Sequence, residues 1–258
     1  MMAFTNLCFL LFVLLLLLAV ASANEIPIYD VAIIGSGPSG LAAAIGIQRS
    51  MGEETSIAIF ERSSAFREVG GQVGRTNPAF QALDALDPSG KLNQAVRDAG
   101  TQRKLFRMLD MKGNVVSERR MDNAEDIPRS MNSVVIPWFQ LQKVLRDSFL
   151  EDSAEGHVLN VGCELETFEE VGDEVLLTFK NGFRCRAKVV IGADGNLSRV
   201  RAMLFQDDAI PEYAGSCIWR MFLKGDYDGI QLGESNVWTG DGKVLAVQKM
   251  GSGNDSRL

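Results

Sequence analysis

Gly35, Gly37 and Gly40 stand in the stretch YDVAIIGSGPSG (Tyr29 to Gly40). Glu61 closes the next apolar run, about twenty residues further on. Residues of these types at this spacing do not break bonds; they hold a dinucleotide. Gly35 allows a tight turn out of a strand. Gly37 has no side chain, so a pyrophosphate can come up to the backbone, and Gly40 lets the following helix lie close to the strand. The free N–H groups and partial positive charge at the helix start meet the phosphates. Glu61 then accepts from the adenosine ribose hydroxyls. A plain glycine turn beside a surface glutamate is the alternative, and the order strand, glycines, helix, strand, acid speaks against it. The spacing alone does not separate NAD from FAD.

Little else in the chain could do chemistry unaided. His157 is the single histidine, which excludes histidine-based triads and His-rich metal sites. No CxxC and no GxSxG occurs. The residues therefore nominate no catalytic group and no metal ligands, and reactivity must come from something bound. Beyond Cys8, the cysteines are Cys163, Cys185 and Cys217. An odd number in a sizeable domain reads as core or strand residues, with one pair possible.

The elements that must position the glycines can be traced by pattern. Tyr29 to Gly35 is a continuous apolar strand, as in a parallel sheet covered on both faces. Pro38 starts a helix that runs to about Met51, where Gly52 caps it. Ser56 to Phe60 is the second strand. Glu68 to Arg75 is glycine-rich, and Asn77 to Leu86 reads as a helix. Leu105 to Glu118 alternates around Lys112-Gly113-Asn114, a hairpin pattern. Phe139 to Leu150 is an amphipathic helix with Leu141, Val144, Leu145 and Phe149 on one face. Val158 to Val190 reads as a three-stranded antiparallel meander, turning at Gly172-Asp173 and Asn181-Gly182. A helix begins near Leu197. Gly215 to Leu223 and Lys243 to Lys249 read as strands.

With 258 residues, 46% apolar and 23% charged, the chain has the composition of one soluble domain or slightly more. A net charge of −7 gives no basic surface for nucleic acid. Leu7 to Val20 is an apolar run too short to span a bilayer comfortably, and it ends in Ala21-Ser22-Ala23. Residues 1–23 therefore read as a cleaved signal peptide for the secretory pathway, although no Lys or Arg precedes the run. An uncleaved anchor, the only route to membrane association, and a bipartite plastid leader are the alternatives.

Four segments follow the glycine turn in order: FERSSAFREVGGQVG (Phe60 to Gly74), NPAFQALDAL (Asn77 to Leu86), GADGNLSRVR (Gly192 to Arg201) and EYAGSCIWRMFL (Glu212 to Leu223). Together they resemble the FAD-dependent aromatic-ring hydroxylase and epoxidase family, the para-hydroxybenzoate hydroxylase-like group A flavoprotein monooxygenases. The resemblance implies an α/β fold: a Rossmann-like FAD/NAD(P)-binding domain of β/β/α layers, with an inserted, partly antiparallel substrate-domain sheet. The Rossmann parts would be about 28–90 and 135–205, and a partial substrate domain about 91–134 and 206–258. It implies FAD as cofactor and NAD(P)H as reductant. A small aromatic or isoprenoid-like substrate would be hydroxylated or epoxidised through a flavin hydroperoxide. The cofactor-binding residues it carries over are Gly35, Ser36, Gly37, Pro38, Ser39, Gly40, Glu61, Arg62, Gly71, Asp194 and Gly195. Asp194 would touch the FAD; a helix N-cap aspartate is the alternative when it is taken alone.

Two departures stand out. The family carries an arginine for the pyrophosphate just before the helix near Phe139, where this chain has Pro137-Trp138, leaving Arg129 or Lys143 as substitutes. Its later Gly-Asp motif is absent before Leu258, which suggests a truncated chain and, as the alternative function, a non-catalytic FAD-binding module. Two sequons, at Asn196 and Asn254, complete the features; a glycan at Asn196 would obstruct the cofactor edge.

Overall fold

The computed structural model describes residues 26–52, 54–75, 77–121, 134–151, 156–206, 211–223, 225 and 228–251. The leader, Arg129 and the Asn254 sequon lie outside them. In chain order the elements are β1 (Ile28–Ile34), α1 (Pro38–Met51), β2 (Ile57–Glu61), β3 (Gln72–Arg75), α2 (Asn77–Leu86), α3 (Lys91–Ala99), β4 (Thr101–Gln102), β5 (Leu105–Leu109), β6 (Val115–Arg120), β7 (Val134–Pro137), α4 (Trp138–Glu151), β8 (Val158–Val161), β9 (Leu165–Val171), β10 (Glu174–Phe179), β11 (Arg184–Gly192), α5 (Arg199–Phe205), β12 (Glu234–Gly240) and β13 (Lys243–Gln248).

The central sheet has the order β8-β2-β1-β11-β10-β9. Strands β8, β2, β1 and β11 run parallel, whereas β10 and β9 are antiparallel additions. The apolar run of β1 serves both faces. Val31 and Ile33 point into one core with Leu41 and Ile45 of α1, Leu141, Leu145 and Phe149 of α4, and Leu92 and Val96 of α3. Ala32 and Ile34 point into the other core, with Phe60, Leu177 and Phe179. In a flat sheet β2 and β10, three strands apart, would lie roughly 14 Å from each other. The Phe60 and Phe179 ring centroids are 4.5 Å apart. The β9–β11 meander therefore curls over the sheet and forms the third layer of a β/β/α stack. A clip fastens the start of β1: Asp30 Oδ2 accepts from the Ser56 N–H and hydroxyl, both at 2.8 Å, and Lys188 Nζ reaches Oδ1 at 2.7 Å. These bonds, from Lys188 first, lower the Asp30 carboxyl to about 2.

A four-stranded sheet, β13-β12-β5-β6, pairs β5 with β12 in parallel and is otherwise antiparallel. A three-stranded sheet, β3-β7-β4, joins the two regions. Two strand expectations are corrected. The Val158 to Val190 meander is not one antiparallel unit. Gly162, at φ 69°, breaks its first strand, and the bonds from Gly162 N to Ser63 O and Cys163 N to Glu61 O hold the break. As a result β8 leaves to pair with β2, and only β9 to β11 form the meander. Gly215 to Leu223 is not a strand. No neighbouring strand pairs with it among the described residues, and Ile218, Trp219 and Met221 stay exposed, so the alternation has no face to bury.

The lone histidine is structural. His157 is buried, and its Nε2 lies 2.7 Å from the Thr55 carbonyl. A carbonyl only accepts, so Nε2 carries the proton and Nδ1 accepts from Gln48 Nε2 at 3.2 Å. The ring stacks on Phe149. Cys163 and Cys185 are buried free thiols and Cys217 is an exposed one; burial, with a smaller effect of Cys163, pushes the Cys185 thiol up to about 12.

Candidate functional site: the cleft at the end of β1

The carboxyl ends of β1, β2 and β11 open into a cleft of about 760 Å³. This is where ligands bind in open parallel sheets. Each glycine of the first turn does a separate job. Gly35 sits at φ +104°, and a Cβ there would run into the Ala193 carbonyl on β11's exit. A Cβ on Gly40 would strike the Gly35 carbonyl oxygen, so helix α1 crosses its own turn in contact. At Gly37 the Cβ position has nothing within 4 Å: the space in front of it is open. Helix α1 has no side-chain cap, and Pro38 occupies its first turn. The Leu41 N–H is the one that bonds back to Gly37 O, at 3.0 Å. The amides ahead of it have no partner within the helix, the feature by which a helix start takes an anion.

Glu61 reaches this turn from the end of β2. Its Oε2 accepts from the Ser36 N–H at 3.1 Å and the Ser36 hydroxyl at 2.7 Å, and its Oε1 from the Ser63 N–H at 2.9 Å. Burial pushes this carboxyl up, but the bonds from Ser63 and Ser36 together outweigh it and hold the group below the ordinary carboxylate range. It is an anion facing the cleft, suited to ribose hydroxyls.

Of the residues expected from the sequence, Gly35, Gly37, Glu61, Arg62, Asp194 and Gly195 line the cleft. Ser36 and Gly40 are buried behind it. Pro38 and the exposed Ser39 open α1. Gly71 is away from the cleft lining; a Cβ there would run into the Arg220 side chain, and its carbonyl accepts from the Trp138 N–H at 2.9 Å. Asp194 shows the capping arrangement: Oδ1 accepts from Ser198 Oγ at 2.5 Å, and Oδ2 from the Arg199 and Val200 amides at 2.6 and 3.2 Å. The same carboxylate borders the cleft. Lys143, one substitute for the pyrophosphate arginine, is instead paired with Asp147, and Trp138 itself lines the cleft.

Three residues were missed by sequence reasoning. Ser63 bonds Glu61 through its backbone, which no side-chain pattern reveals. Phe66 lines the cleft under the Arg146 guanidinium, 4.6 Å from the ring centroid. Gln142 donates from Nε2 to the Ser36 carbonyl at 2.9 Å. The available signal for Gln142 was its place on α4, one turn after Trp138 and beside the apolar face. Among the described residues, no group of three His, Cys, Asp or Glu is placed to hold a metal.

The open space at Gly37, the free amides of α1 and the Glu61 carboxylate fit a bound dinucleotide. Comparison with known proteins says which one. Residues 28–212 match the profile of the FAD binding domain family. This chain belongs to that family. Its relatives include the FAD-dependent monooxygenase pigN of Monascus ruber, 29% identical over 213 residues, covering 79% of this chain and 46% of that protein. Another is the 6-methylsalicylate 1-monooxygenase atA of Aspergillus terreus, 27% identical over 238 residues, covering 87% and 52%. CtdE, solved in complex with FAD and a substrate, has a TM-score of 0.60 at 19% identity over 72% of this chain and 42% of its own; a likeness at that identity speaks for the fold. The FAD-domain member described here spans about half the length of the curated relatives it matches.

Proposed function

We propose that this chain carries the FAD-binding part of a NAD(P)H-dependent monooxygenase that hydroxylates or epoxidises a small aromatic or alkene substrate. The observation that carries the reading is the turn itself: open space at Gly37 faced by the Glu61 carboxylate, in a chain of the FAD binding domain family. Bound FAD would supply the transfer of electrons from NAD(P)H and the activation of dioxygen. The chain's own residues bind and orient. The amides at the start of α1 take the pyrophosphate, Glu61 the adenosine ribose, and Asp194 and Gly195 the edge nearer the ring system. Arg62 borders the adenosine end. The aromatic substrate class is supported by the relative that is a 6-methylsalicylate 1-monooxygenase.

The test is to load the full chain with FAD, follow bleaching of the visible flavin band by NADH and by NADPH without oxygen, then admit labelled dioxygen with a panel of phenolic acids. Bleaching and one labelled oxygen atom in the product support the proposal. Bound flavin that no nicotinamide bleaches, with no labelled product, leaves the non-catalytic FAD-binding module instead. Secretory delivery through residues 1–23 is a further part of the proposal. It predicts a mature N-terminus near residue 24 after translation with microsomes; an intact leader in the lumen would point to an anchor. Among the described residues, no helix is long and apolar enough to cross a membrane.

A further inference from the structure

Ser36 is held from two sides. Its N–H and hydroxyl donate to Glu61 Oε2, and its carbonyl accepts from Gln142 Nε2 at 2.9 Å. Ser36 is fully buried, so no water replaces these partners. A trans peptide is planar, with its C=O and N–H opposed, and no cis bond occurs among the described residues. The grip of Gln142 on the Ser36 carbonyl therefore sets the direction of the Gly37 N–H. The next residue makes such a grip necessary. A flip of the Ser36–Gly37 peptide turns ψ of Ser36 and φ of Gly37, and glycine tolerates nearly any φ. Gly37 has no side chain of its own to oppose the flip. A flipped peptide would aim the negative end of its dipole where the N–H should be.

We propose that Gln142 is a positioning residue for the pyrophosphate of the bound dinucleotide. It locks the Ser36–Gly37 peptide so that the Gly37 N–H, and not the Ser36 carbonyl, is presented to the phosphates. Glu61 fixes the preceding amide, so the ribose-facing carboxylate and the phosphate-facing peptide are joined through one buried serine. The inference rests on the cleft taking FAD.

The experiment compares the full wild-type chain with Gln142→Met, which keeps the length of the side chain and removes the donor. Affinities for FAD, ADP and adenosine are measured by calorimetric titration, and the Gly37 amide is followed by nitrogen-15 NMR in the ligand-free protein. The expected result is a roughly threefold to tenfold loss for FAD and ADP, the size of one neutral hydrogen bond. Adenosine, which has no phosphate, should bind unchanged. The ligand-free Gly37 amide signal should shift or split, because the peptide is no longer held. Unchanged FAD and ADP affinities overturn the inference and leave the FAD reading standing. Equal losses for adenosine overturn it as general damage to the fold, and an unmoved Gly37 signal overturns it as direct ligand contact. A wild-type chain that binds neither FAD nor ADP overturns the FAD reading and the inference with it.

Discussion

Replacing Glu61 with glutamine separates the two duties of that side chain. In the ligand-free protein the carboxylate accepts from the Ser36 N–H, the Ser36 hydroxyl and the Ser63 N–H. An amide can turn its oxygen toward Ser36 but then presents NH2 to the Ser63 N–H. Two bonds to the buried Ser36 fall from charge-assisted to neutral, about 1 kcal/mol each, and the third is exchanged for water. Glu61 is half-buried, so solvent takes back part of this, leaving a loss of about 1–2 kcal/mol. For a domain of this size that corresponds to a melting temperature lowered by about 2–4 °C. The sign of the pH dependence follows from the depressed carboxyl. Its folded pKa lies below the unfolded value of about 4.3, so its stability is fully present above that value and is lost as pH falls through the folded pKa. The gap between wild type and Glu61→Gln should be full at neutral pH and shrink on acidification. FAD affinity should fall about tenfold, as the ribose bond loses its charge assistance. The assay is scanning calorimetry with and without FAD across pH, beside a FAD titration. A melting temperature unchanged to within about 1 °C at neutral pH, or a gap that widens in acid, would refute the reasoning.

Gly40→Ala places a methyl against the backbone carbonyl of Gly35, which cannot move aside as a side chain would. It should cost about 1–3 kcal/mol and weaken FAD binding together with stability, measured by denaturant melts and titration. His157→Phe leaves the Thr55 carbonyl and the Gln48 amide without their ring partner; a loss of about 2–4 kcal/mol, with FAD affinity of the folded fraction unchanged, should appear in the same melts. Among Cys163, Cys185 and Cys217, an alkylating reagent at neutral pH should label Cys217 and spare the buried pair. Peptide mass mapping checks this, and labelling of Cys185 in the native protein would contradict its burial.

The first βαβ unit was readable because one chemistry dictates both its sequence and its shape. An apolar strand without alternation needs cover on both faces, and the glycines at 35 and 40 are required by backbone contacts that any side chain would break. The helix from Asn77 to Leu86 and the hairpin about Gly113 were legible for local reasons of periodicity and turn. The departure of β8 was not, because a strand's partner depends on the tertiary bonds that Gly162 and Cys163 make to Ser63 and Glu61. Strand β12 and the short β3, β4 and β7 carry too few residues of clear alternation to stand out. Gly215 to Leu223 misled for the opposite reason: its pattern is strand-like, but a strand needs a neighbour. At the site, Gly37 and Glu61 followed from spacing. Gln142 and Ser63 did not, since one reaches across from another helix and the other acts through its backbone.

Gly37→Val tests the central claim most directly. Gly37 has φ −65° and ψ 171°, a conformation open to valine, and its Cβ position is empty of protein atoms within 4 Å. The fold should lose little beyond a poorer helix N-cap, about 1 kcal/mol, whereas a pyrophosphate at the start of α1 would meet two methyl groups. FAD titration of the wild-type chain and Gly37→Val should give saturable binding to the first, binding at least tenfold weaker to the second, and ligand-free stabilities that differ by no more than about 1 kcal/mol. Equal FAD affinity for the two proteins, or no FAD binding by the wild type, would contradict the account.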